Sequence, residues 1–420
     1  MGTWTNTPGN ARNGTASHKP TCWSTDTYDY ALVTRHDWHV VVWRRPVGGG
    51  EWESYDVSGT VIGLVNVEDS HYAVAIGVDH LERVWISGNS HADTHLVIVS
   101  DPYSITSWNT ATMPAFLSPH SMQSTYHKYD CFPDGQLLWT WDSIPAGPAT
   151  GMGRDWIMLR MNMLTNEWEP CLGDGRIMMV DDPGTSDDEL PNRSYLMGHH
   201  VDTSGRLHIT FVWRETSGGF SMDRLCYAYS DDRGATWQNI EGYPVTTPFY
   251  FDVATVEAGI KTAGDQWLGC TTGGDVCIDN NGFPVISGWN DDGDWYFWCR
   301  WNGSAWVKGS FNWPGMVSPP TMHLRYDGAL IVTYWRETDG LVVATNFDEG
   351  PSSQDTRVLG RATIGTPDGE YTWESSATYY SAPAAATYSP YRQALQWMIP
   401  DGDTPTIQRI GAGPVNNPQA

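Results

Sequence analysis

Charge is scarce in this chain, and lysine is scarcest of all. Only 17% of the 420 residues are Asp, Glu, Lys or Arg, and lysine stands at four positions, Lys19, Lys128, Lys261 and Lys308. That shortage is compositional and carries no functional weight. No stretch is long and apolar enough to span a membrane, and residues 1–20 lack the apolar core of a signal peptide. A soluble protein without membrane insertion is expected, either virion-associated or extracellular after delivery by another route. No window has the periodicity of an amphipathic helix of four turns. The seven cysteines, Cys22, Cys131, Cys171, Cys226, Cys270, Cys277 and Cys299, include no CxxC pair, so no spacing selects a metal site and no cofactor is implied. Several fall in strand-like runs and read as small apolar core residues, with one disulfide as the alternative.

Tryptophan is the abundant outlier, with 23 copies beside 43 glycines and 26 prolines. This mixture suits short strands joined by tight turns, with large flat side chains between stacked sheets. A formal net charge of −25 argues against nucleic acid or an anionic membrane as partner. It would also repel a polyanionic glycan at long range, so an anionic ligand needs a local group of cations.

One phrase recurs: an Asp- and Gly-rich turn running into an aromatic-rich strand. Its copies are VDHLERVWISG (78–88), FPDGQLLWTW (132–141), VDTSGRLHITFVW (201–213), IDNNGFPVISGW (278–289) and YDGALIVTYW (326–335), with looser relatives at 28–43 and 391–400. Their starts lie roughly 50 to 75 residues apart, the period of a β-propeller blade. The expected fold is all-β, a seven-bladed β-propeller of four-stranded antiparallel blades over residues 25–410. A polar N-terminal arm (1–24) precedes it and a flexible tail (411–420) follows. SDDRGATW (230–237) has the S-x-D-x-G-x-T-W pattern of an Asp-box, a structural turn that ties a hairpin to its own backbone. Segment 155–170 reads as two strands joined by a Leu-Thr-Asn turn, and 180–194 as a long polar loop. Trp85, Trp139, Trp141, Trp213, Trp289 and Trp335 recur at strand ends and read as packing between blades. Trp295, Trp298 and Trp301 are placed at alternate positions of one strand, where they line a pocket.

The segment richest in chemistry is 68–108. His71 and His91 each stand at the edge of a strand-like run, and a hairpin returns both to one rim, where two imidazoles can share proton transfer near neutral pH. The blander account is that each satisfies a backbone carbonyl.

Residues 28–245 also resemble a known family. The strings YDYALVTRHDWHVVVWRR, EDSHYAVAIGVD, SGNSH and SDPYSITSW, then TYHKYDCFPDGQLLWTWD (125–142) and RSYLMGHHVDTSGRLHITFVWRET (193–216), resemble the BNR-repeat propeller family that contains the ulvan-type polysaccharide lyases. The resemblance implies a catalytic set of His71, His91, Tyr126 and Tyr195. It also implies β-elimination from a uronic-acid-containing polysaccharide: a base takes the proton alpha to the carboxylate and an acid protonates the departing oxygen. Tyr126 or a histidine is the base, and its partner the acid. Asn89, within SGNSH, is expected to contact substrate.

The carboxylate must be neutralised by a cation. The lyase pattern places an arginine sixteen residues after the tyrosine, where this chain has Asp142. Arg154, Arg193 and Arg214 are the candidate substitutes, Arg193 first because it lies two residues before Tyr195. A glycoside hydrolase would use a carboxylate pair drawn from Asp130, Asp142 and Glu215. A sialidase would need an early R-I-P signature, and the nearest string, WRRP (43–46), is not that motif. The non-enzymatic alternative keeps the same pocket as a cradle for a polysaccharide or cell-surface glycan. That role suits a phage tail or tail-fibre protein contacting other virion proteins through its N-terminal arm.

Overall fold

In three of its copies the recurrent phrase is a hairpin turn with one hydrogen-bonding plan. In the computed structural model, Asp79, Asp202 and Asp279 each close the turn between the first and second strands of a sheet. One carboxylate oxygen of each accepts two backbone N–H groups, from residues 81 and 83, 204 and 206, and 281 and 283, at 2.8–3.0 Å. A short polar side chain that mimics the backbone is why Asp belongs in such turns. Gly205 and Gly282 take the left-handed position there, at φ 87° and 80°. The second oxygen takes a different partner in each sheet: Arg83 and Trp85 for Asp79, His208 for Asp202, and Arg300 for Asp279.

The structure describes residues 22–34, 39–47, 50–65, 72, 74–91, 93–94, 96–117, 123–143, 155–178, 193–214, 222–250, 254, 257–262, 266–268, 271–279, 281–289 and 296–310, and the backbone of strand segments between 321 and 410. Among them, seven antiparallel sheets have three or more strands. Sheet 1 comprises Cys22–Ser24, Tyr28–Thr34, Val40–Pro46 and Glu53–Asp56, so a strand begins inside the stretch expected to be an arm. Sheet 2 comprises Val74–Val78, Val84–Gly88, Val97–Ser100 and Trp108–Thr110. Sheet 3 is built on Gln123–Cys131, Leu137–Ser143, Asp155–Asn162 and Glu167–Pro170, the last two being the hairpin expected over 155–170. Sheet 4 comprises Arg193–Val201, Leu207–Arg214 and Met222–Ser230, and sheet 5 Thr271–Ile278, Pro284–Trp289, Tyr296–Trp301 and Trp306–Ser310. Sheets 6 and 7 open with Thr321–Leu324 and Thr387–Ser389.

The opening strands lie side by side. Those of sheets 1 to 6 neighbour one another in chain order, and Cys22–Ser24 also neighbours Thr387–Ser389 of sheet 7. Flat indoles fill the space between sheets. Trp85 meets Trp168 at 5.2 Å, Trp168 meets Trp139 at 5.3 Å and Trp139 meets Trp141 at 4.3 Å. Trp85, Trp139, Trp141 and Trp213 are all buried, each worth on the order of 4–6 kcal/mol in apolar area removed from water. Trp289 and Trp335 have no described side chains. Cys131, Cys171, Cys226, Cys277 and Cys299 are buried as small apolar residues, and burial pushes the Cys171 thiol up to about 12.

The Asp-box clamps sheet 4 to sheet 3. Asp232 accepts the Thr236 N–H and hydroxyl, both at 2.7 Å, and the Ser230 hydroxyl accepts Gly234 N–H at 2.7 Å. Gly234, at φ 91°, passes so close to Cys171 that an added Cβ would lie 2.9 Å from the cysteine Cβ. Arg233 reaches across to Asp134 and Gln136 of sheet 3, at 2.8 Å each. In place of a fourth strand, sheet 4 has isolated bridges from Tyr229 to Gln238 and from Gln238 to Pro244.

At the turn end of sheet 4, His208 lies buried between two oxygens: its Nδ1 accepts from Tyr227 Oη (2.7 Å) and its Nε2 donates to Asp202 (3.2 Å). Burial pushes the His208 imidazole below its ordinary value of 6.5, against the raising influence of Asp202. Burial opposes ionisation of Asp202 as well, but hydrogen bonds from His208 and Ser204 hold its carboxyl well below the usual range. Both depressed groups take up protons more readily in the unfolded chain, so stability falls as pH falls. Thermal midpoints should drop as pH falls below about 6.5 through His208, and again below about 4 through Asp202. In a His208→Asn variant the first drop should flatten; an unchanged profile would place that loss elsewhere.

Candidate functional site

The turns define one end of the sheets, and the hairpin register defines the other. Val74 lies opposite Gly88, Thr125 opposite Asp142, Ser124 opposite Ser143, and Arg193 opposite Arg214. The starts of first strands and the ends of second strands therefore share the end away from the Asp turns. Asn89, His91, Tyr126, Asp142, Tyr195 and both sheet 4 arginines fall at this end.

Tyr126 is displaced from the ladder by a bulge between Thr125 and Lys128 and has φ 58°, a left-handed conformation that an aromatic residue rarely adopts. Its ring lies 6.2 Å from that of Tyr195, tilted by 51°. Tyr195 precedes a second bulge, between Leu196 and Gly198. Lys128 ties the two together: its buried ammonium donates to the carbonyls of Leu196 and Met197, both at 2.8 Å, and lies 5.8 Å from the Trp156 ring.

Two contacts bring the His91 segment to the same place. Strand Asp93–Thr94 adds to the inner edge of sheet 3, pairing Thr94 with Gln123 and Asp93 with Ser124. Ser90 Oγ lies 3.0 Å from Ser124 Oγ. His91 itself is half-buried and edge-on to Tyr72 at 6.2 Å. Behind Tyr126, His127 is wholly buried, with Trp139 and Trp141 stacked at 5.8 and 6.2 Å. The Trp139 indole N–H donates to its Nδ1 (3.2 Å), and its Nε2 lies 2.9 Å from Ser124 Oγ. An indole nitrogen can only donate, so the neutral ring carries its proton on Nε2 and gives it to Ser124. This Ser–His pair is therefore the reverse of a nucleophile and its base. It is a scaffold running from Trp139 through His127 and Ser124 to Ser90, one residue from His91.

Other expectations need correction. Asn89 has both amide hydrogens engaged, by the carbonyls of Ile62 (2.6 Å) and Leu64 (2.9 Å), and holds that loop rather than presenting its amide to a ligand. Asp142 is wholly buried between Thr125 and Trp156, not a carboxylate facing an open pocket. Asp130 accepts the N–H groups of Cys131 and Val201 near the turn end, away from the rim. Trp298 and Trp301 are an odd number of residues apart and take opposite faces of their strand: Trp298 lies over Gly309, Trp301 beside Trp306. His71, Arg154, Glu215 and Trp295 lie outside the described residues, as do 1–21, 180–192 and 411–420; of Arg193 and Arg214 only the backbone is described.

His127, Lys128, Ser90, Ser124 and Tyr72 were not singled out from sequence. The available signal was His and Lys side by side in TYHKYD, inside a strand otherwise built for burial.

Comparison with known proteins extends these observations. The model of a BNR repeat-containing family matches residues 28–313. No curated protein matches the chain in sequence. Among solved structures, an ulvan lyase of polysaccharide lyase family PL25 is similar, with 14% identity, 82% of each chain covered and a TM-score of 0.61. The same enzyme has been solved with a bound repeat of glucuronate and 3-sulfated rhamnose. A further polysaccharide lyase is 14% identical over 94% of this chain and 90% of its own, with a TM-score of 0.59. At this identity the likeness is one of fold.

Proposed function

Since this chain belongs to the BNR repeat-containing family, we propose that it is a seven-bladed propeller that cleaves a uronic-acid-containing polysaccharide by β-elimination at the end of the sheets bearing Tyr126. Seven sheets, the opening strands of the first six adjoining in order and that of the first also adjoining that of the seventh, support the blade number. The observation that carries the function is the convergence of Tyr126, Tyr195 and the His91 segment, drawn from three consecutive sheets. The lyase with the likeness in fold was solved with a glucuronate-containing ligand, which is the substrate class this reading requires.

The reaction breaks the C–H bond alpha to the uronate carboxylate and moves that electron pair into a new C=C bond. The neighbouring glycosidic C–O bond breaks, and its oxygen collects a proton. Tyr126 and His91, aided by His71, supply the base and the acid. Tyr195 orients Tyr126 across their 6.2 Å contact. The enolate-like charge needs a cation, and with Asp142 buried that task falls to Arg193 or Arg214, which face each other in register two residues from Tyr195 and Val212.

The test is ultraviolet absorbance of the unsaturated uronate while the protein is incubated with a panel of uronate polysaccharides, ulvan included. A rise lost in His91→Ala is the expected result. Because an acid stands at 142 where the lyase pattern has arginine, the competing reading is a glycan-binding propeller without turnover. A flat trace with glycan binding retained would establish that reading instead.

A further inference from the structure

A groove lined by described residues lies away from this rim. It has a volume of about 760 Å³ and runs along the flank between sheets 4 and 5, at the turn end. That size falls within the roughly 300–1,000 Å³ of small-ligand sites. We propose that this groove is a second glycan site, one that grips an acidic sugar of a polysaccharide outside the axial pocket.

Its wall is Trp301, half-buried and edge-on to Trp306 at 5.8 Å, which offers the flat apolar surface on which a sugar ring packs. Lys261 and Lys308, both exposed, line the same groove. Lys308 shares a strand face with Trp306, and its ammonium stands 5.0 Å over the Phe297 ring. Against a net charge of −25, these two cations stand in one groove lining. An anionic ligand approaching so acidic a protein needs such a local pair of cations. Of the two acids in the lining, Glu257 is turned onto Thr246, accepting its N–H (2.6 Å) and its hydroxyl (3.1 Å). Glu241 remains at the groove as an acceptor for sugar hydroxyls. The ligand class follows from these residues and does not depend on chemistry at the axial pocket. A polymer held on the flank and at the axis at once would gain by effective concentration.

The experiment is calorimetric titration of the full chain with ulvan oligosaccharides, with dextran oligosaccharides of equal length as the neutral probe. The Tyr126→Phe chain, used so that the oligosaccharide is not cut during the titration, should take up two equivalents of the acidic oligosaccharide, and the groove changes are made in that background. A Lys261→Glu/Lys308→Glu double variant, altered only at exposed side chains, should weaken one of them by at least about tenfold and leave the other. Trp301→Ala should do the same, and Tyr126→Ala/Tyr195→Ala, which removes both rings from the axial end, should affect only the other equivalent. A single equivalent lost with Trp301→Ala would uphold the groove and remove the axial reading. A single equivalent indifferent to the lysine and tryptophan changes would overturn the groove alone, and absence of all binding would overturn both. Equal affinity for dextran would overturn the acidic specificity.

Discussion

Tyr126→Phe is expected to lower turnover of a uronate polysaccharide by about 10²–10⁴-fold, the usual worth of a positioned acid or base. Affinity for the axial oligosaccharide should change little. The phenol oxygen is the only group removed, and the ring keeps its place against Tyr195 at 6.2 Å. The left-handed backbone at Tyr126, φ 58°, accords with the expectation, because strained backbone gathers at functional sites. Steady-state kinetics decide the matter. A loss confined to KM would make Tyr126 a binding residue, and an unchanged kcat would remove it from the chemistry.

Lys128→Met should destabilise the protein by about 2–4 kcal/mol. Each hydrogen bond from a charged donor is worth about 1.5–3 kcal/mol, and relief of burying an ammonium offsets part of the loss of two. The carbonyls of Leu196 and Met197 lose this donor inside a packed interface between sheets 3 and 4. Denaturant unfolding measures the change. Since Lys128 joins the bulge of Tyr126 to that of Tyr195, the variant should also lose activity at temperatures where it remains folded. A variant that is destabilised yet fully active would mean that the two tyrosines do not depend on this tie.

The parts of the fold that sequence reading recovered are those built from local chemistry. The Asp turns, the Asp-box and the tryptophans at strand ends all follow from contacts within a few residues, or from strict alternation along a strand. Tyr126 and Tyr195 came from resemblance, and the structure brings them into contact. The neighbours that hold them did not emerge, because the bulge at 125–128 breaks the two-residue period. Past that point, parity no longer tells which face receives His127 or Lys128. The same sensitivity to parity misplaced Trp298 and Trp301, which a step of three residues sends to opposite faces. Asn89 and Asp142 were misjudged for another reason. Their positions along the chain are at the rim, but a side chain's depth depends on what the adjoining loop and sheet lay over it, here residues 62–64 and the strand carrying Trp156.

In sheets 2, 4 and 5 an Asp turn closes the hairpin at one end, and the proposed chemistry occupies the other end of the sheets, with the length of a strand between them. Inheritance of shape and choice of substrate are thereby written in different residues of the same hairpin. A lineage can redraft its rim and still pass on an intact set of sheets. Families built this way are expected to keep their architecture long after their ligands have diverged.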